Sequence, residues 1–65
     1  MSPAVALSVA AFDLKFARED LRQLRADAPE AERLAIQRRV REAETAHAAA
    51  SQAALIDSAL RRVAA

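Results

Sequence analysis

Few side chains in this sequence can do chemistry, and their spacing argues against most of what they are capable of. His47 is the sole histidine and there is no cysteine, so neither a thiol nucleophile nor a set of metal ligands at short spacing can be assembled. Glycine is absent as well, which removes the loops that wrap a phosphate, and no HExxH or EF-hand spacing occurs. The carboxylates Glu30, Glu32, Glu42 and Glu44 interleave with arginines, the pattern of a solvated helix face and not of a paired acid and base. His47, with Thr45 and Ser51 nearby, reads as a ring filling space beside a small residue. As the residue type that titrates nearest neutrality, it is also the natural candidate for a pH-sensitive contact. The expectation is no enzymatic activity, no cofactor and no metal.

Arginine is the one plentiful functional group. Arg18, Arg22 and Arg25 form a local stripe at helical spacing, the best argument in the chain for contact with a nucleic-acid phosphate. Against it, eight basic residues meet seven acidic ones between positions 15 and 44, and the whole chain carries a formal net charge of +1. No bulk field draws it to nucleic acid or to anionic lipid, so nucleic acid is the weaker expectation.

Composition points to helices as the elements that position these groups. The chain is 54% hydrophobic, much of it alanine, and 29% charged. Ser2-Pro3 is a helix-start signal, and nothing from Ala4 to Ala26 breaks a helix. Pro29 clashes with a helix arriving from its N-terminal side and pushes Ala28 out of the α region. The spacing therefore predicts a helix over 3–26, a turn at 27–28 and a second helix over 29–63. These span roughly 36 and 50 Å at ~1.5 Å per residue. Glu30 and Glu32 open the second helix, and Arg61 and Arg62 close it, as the macrodipole favours. Lys15 with Glu19, Arg38 with Glu42 and Asp57 with Arg61 stand at ion-pair spacing.

A short turn makes the two helices antiparallel neighbours. Leu7, Ala10, Leu14, Ala17, Leu21 and Leu24 repeat at alternating intervals of three and four, and so do Ile36, Val40, Ala43, His47 and Ala50. Folding the chain at Ala28/Pro29 pairs residues whose numbers sum to 57, from Leu7 with Ala50 through Ala10 with His47 to Leu21 with Ile36. Most of these layers set a large side chain against alanine, which lets the backbones approach without voids.

Two apolar stripes remain unused. Val5, Val9, Phe12 and Phe16 recur on the side of the first helix roughly opposite Leu7, Leu14 and Leu21. Ala46, Ala49, Ala53, Ile56, Leu60 and Val63 form a second stripe rotated away from the seam. Residues 1–12 and 45–56 carry no charged side chain when His47 is neutral, so the hairpin has one charged and one uncharged end. Uncovered apolar surface of this extent marks an interface, with Val5, Val9, Phe12, Phe16, Ile56, Leu60 and Val63 as its expected residues.

The fold expected is an all-α antiparallel two-helix hairpin, assembling into a four-helix bundle or with a partner helix. Its partner is a second copy of itself, a helix of another protein, or both. The opening MSPAVALSVAAF lacks a basic leader and meets charge at Asp13 and Lys15, so no signal peptide and no membrane span is expected, and the expected compartment is the cytoplasm. In length and hairpin plan the chain resembles the Rop-like RNA-binding helical-hairpin dimers and the small hairpin chaperones of type III secretion needle subunits. That resemblance is one of architecture; it shares no motif and carries no residue roles. The function expected is a self-associating adaptor or chaperone-like subunit, with a Rop-like RNA binder as the alternative.

Overall fold

The computed structural model describes residues 1–64, which form two antiparallel helices, α1 (Pro3–Arg22) and α2 (Glu30–Ala64), joined by residues 23–29. α1 starts where the sequence places it. Ser2 is extended, its Oγ accepts the Val5 N–H at 3.2 Å and its carbonyl accepts the Ala6 N–H at 2.9 Å. Pro3 follows in the first turn, where the missing N–H has no bond to lose.

The end of α1 departs from expectation: the helix stops at Arg22, four residues before Ala26, and the connection is longer than Asp27-Ala28. The Gln23 N–H still reaches the Glu19 carbonyl at 3.0 Å, but the Leu24 N–H reaches back only to Leu21, at 3.3 Å. That three-residue step tightens the last turn and ends the helix. A second turn follows, with the Ala28 N–H on the Arg25 carbonyl at 3.1 Å. The physical reason is distance. A chain held out of the α region at Ala28 by Pro29 must still cross ~8–10 Å between helix axes, which two residues do poorly. Leu24 and Ala28 are half-buried against the hairpin, and the Arg33 Nη2 donates to the Ala26 carbonyl at 3.2 Å, tying the connection to α2. α2 itself begins at Glu30, one residue later than expected, because Pro29 serves as the cap: its carbonyl accepts the Arg33 N–H at 3.1 Å.

Burial falls on the expected faces. Ala10, Leu14, Ala17 and Val40 are buried, and Leu7, Leu21, Leu24, Ile36, Ala43, His47 and Ala50 are half-buried around them. The register along that seam is shifted, however. Arg39 pairs with Asp20 and Arg18 with Glu44, the latter at 4.0 Å, so the two cross-helix ion pairs sum to 59 and 62 and not to 57. His47 shares a cleft with Leu14, not with Ala10, and Leu24 shares one with Ile36. Because the chain leaves α1 early and runs beside α2 before reversing, α2 slides toward the turn by up to about one helical turn. The half-buried positions of α2 accordingly extend to Asp57, and only the residues beyond it are exposed without interruption.

Of the three expected pairs within a helix, Asp57 with Arg61 forms, at 3.0 Å. Lys15 with Glu19 and Arg38 with Glu42 do not; Glu19 accepts from the Gln23 side chain at 3.4 Å instead. Exposed pairs of this kind gain too little to fix two long side chains.

Ala17 is only 1% exposed, the tightest point of the seam. Ala17→Leu is expected to overpack it, costing about 1–3 kcal/mol, and to lower the thermal midpoint followed by circular dichroism. Ala43→Leu, at a half-buried position, is expected to cost less. An unchanged midpoint for Ala17→Leu would show that the backbones are not in close approach there.

Candidate protein interface

All seven residues singled out as an interface lie exposed. Phe12 and Phe16 are 59% and 54% exposed, Val5 and Val9 about half, and Ile56, Leu60 and Val63 at 54%, 64% and 85%. On α1, Phe12 and Phe16 stack on each other with ring centroids 6.3 Å apart, a pair made possible by their four-residue spacing on one helix face. Val5 and Val9 continue the same face toward the start of the helix. On α2 the exposed Ala46, Ala49 and Ala53 lead into Ile56, Leu60 and Val63, so the stripe is smooth in its first half and bulky in its second.

These two stripes do not form one patch. The seam occupies the facing sides of the helices, and each surplus stripe lies on the far side of its own helix, pointing away from the other. Sequence reasoning placed them at the same end of the hairpin, which holds along its length. It did not show that they face outward in different directions, because that depends on the antiparallel packing of α1 on α2.

Two further exposed leucines, Leu34 and Leu55, were missed by sequence reasoning; they are 52% and 69% exposed. Neither belongs to a run at three- and four-residue spacing with the seam or with the α2 stripe. A count of large apolar residues outside both stripes would have found them.

The arginine stripe is divided by the structure. Arg18 and Arg22 line a shallow cleft of about 370 Å³ together with Lys15, His47, Ala11 and Leu14. Arg25 is not among them: the helix has already ended, and Arg25 sits in the connection with its Nε 3.4 Å from an Asp27 carboxylate oxygen. Arg18 is itself engaged by Glu44 across the seam. The expected three-arginine face is thus two arginines, a lysine and a histidine, partly neutralised by one glutamate. Among the described residues no group of three or more His, Cys, Asp or Glu side chains is placed to hold a metal ion, and no helix is long and apolar enough to cross a membrane.

Comparison with protein-family models, with curated proteins and with solved structures finds no match for this chain. The reading of the surface therefore rests on its geometry alone.

Phe12→Asp and Phe16→Asp place a charge on a face that the hairpin does not use. Each should move the thermal midpoint of the dilute chain less than Ala17→Leu does, while weakening any association through that face. Charge changes at Lys15 or Glu19 on the same helix serve as controls and should do little. Circular dichroism with sedimentation velocity reads both effects, and phenylalanine variants that assemble as tightly as the parent would remove this stripe from the interface.

Proposed function

We propose that this chain is a non-enzymatic helical-hairpin interaction module that associates with itself and serves as an adaptor or chaperone-like subunit of a larger protein assembly. The observation that carries the reading is the exposure of Val5, Val9, Phe12, Phe16, Ile56, Leu60 and Val63 around a core that, among the described residues, has four buried members, two of them alanine. A core of this size supplies on the order of 3–5 kcal/mol, so a hairpin of this kind gains its remaining stability by covering the surplus apolar surface with another chain. The mixed charge of the turn end keeps that half hydrated and leaves the uncharged end as the surface to be covered.

A second reading, an RNA-binding hairpin dimer similar in plan to Rop, draws on Lys15, Arg18 and Arg22 sharing one cleft with His47. Its support is narrower, since Arg25 lies apart and Glu44 stands against Arg18.

The two readings part on salt. Association through apolar stripes should hold or strengthen between about 50 and 500 mM salt, whereas phosphate contacts weaken steeply over that range. Sedimentation of the purified chain across micromolar concentrations, with and without RNA, measures both. A folded monomer throughout that range would sink the self-associating module, and RNA binding that falls with salt would favour the second reading.

A further inference from the structure

The stripes differ in shape in a way that suits them to each other better than to themselves. α1 offers bulk, with Phe12 and Phe16 projecting. The first half of the α2 stripe offers alanines that leave room for it. Run antiparallel, Phe16 meets Ala46, Phe12 meets Ala49, Val9 meets Ala53 and Val5 meets Ile56, and the paired numbers sum to 62, 61, 62 and 61. At each step an interval of four on one stripe meets an interval of three on the other, so the register alternates by one residue and does not drift. Three of the four layers set a large residue on alanine, the rule that also builds the internal seam.

We propose that copies of this chain pack heterologously, the α1 stripe of one against the α2 stripe of the next, and that the array closes into a ring. This rests on the self-association proposed above and names its geometry. A contact of like with like, α1 on α1 or α2 on α2, leaves one apolar stripe of each chain in water. A single stripe is also small: two valines and two phenylalanines, each about half exposed, fall short of the ~800 Å² that one side of a standard interface buries. The heterologous contact engages both stripes of every chain, α2 from Ala46 to Ile56, and so uses two contact surfaces per chain where a like-with-like contact uses one.

Closure follows from register and direction. The internal ion pairs sum to 59 and 62, and the contact between copies to 61 and 62, so adjacent copies stand almost level along the helix axes. At ~100° per residue the α1 stripe lies roughly 150° from its seam and the α2 stripe roughly 130°, both leaning toward the face that carries Asp20 and Arg39. Each copy is therefore rotated in the same sense about an axis parallel to the helices. A level step repeated around a full turn cannot clear a molecule 56 Å long, so the array meets itself and closes.

The test is complementation between two double variants of the full chain. Phe12→Asp/Phe16→Asp keeps only the α2 stripe, and Ala53→Asp/Ile56→Asp keeps only the α1 stripe. The parent is expected to sediment as one species larger than a dimer, of fixed mass as concentration rises. Each variant alone should associate at least tenfold more weakly, and an equimolar mixture should form a one-to-one heterodimer that grows no further. Self-dimers of either variant would overturn the heterologous contact, and a parent that lengthens with concentration would overturn closure. A parent that assembles while the mixture does not would overturn the pairing and leave self-association standing; a monomeric parent would overturn both. Because the chain has no cysteine, single Phe12→Cys and Ala49→Cys variants give a check that does not depend on charged substitutions folding. Mixed and oxidised, they should form the mixed disulfide in clear excess over either symmetric one, and the reverse ratio would overturn the pairing.

Discussion

The close approach of two helix backbones at Ala10, Leu14, Ala17 and Val40 governs the rest of this structure. Two helices touching along one line bury only a narrow strip of each, and small residues at that line make the strip narrower and the approach closer. Ala17 is almost wholly covered because Cβ is all it places in the seam. The same economy excludes bulk: the two phenylalanines, the largest apolar side chains of the chain, have no place between the helices and stand on the outer face of α1. Surplus apolar surface is thus a consequence of how the core is built, and the uncovered stripes are the complement of a seam made from alanine.

Charge acts on register more than on stability. The Asp20–Arg39 and Arg18–Glu44 pairs join α1 to α2 on opposite flanks of the seam, with side chains roughly half exposed. Pairs of that exposure contribute ~0.2–1 kcal/mol each, little against the apolar term. Their placement nonetheless holds one axial alignment on both flanks, and Arg33 holds the connection by donating to the Ala26 carbonyl. The turn half of the molecule is in this way fixed by polar contacts among exposed groups. In the opposite half, among the described residues, no ion pair or side-chain hydrogen bond joins α1 to α2, and it is there that the phenylalanine and alanine stripes lie.

The number of helices, their faces and the exposure of every expected interface residue were legible in the sequence, because each follows from a local rule. Ser2-Pro3 and Pro29 act within a few bonds of themselves, and a period of 3.6 residues sorts Leu14 from Phe12 without reference to any partner. The end of α1, the pairing register and the separation of Arg25 from Arg18 and Arg22 were not legible. No breaker stands at Gln23; the helix stops there because the chain needs length to cross to α2 and bring Leu24 and Ala28 against it. The register then follows from the path of that connection, which slid α2 toward the turn and set His47 beside Leu14. Likewise, periodicity showed two surplus stripes, but the directions in which they face were decided only when the helices packed. A local rule fixes a side chain's angle about its own axis, and the relation between two axes is set by the contacts that join them.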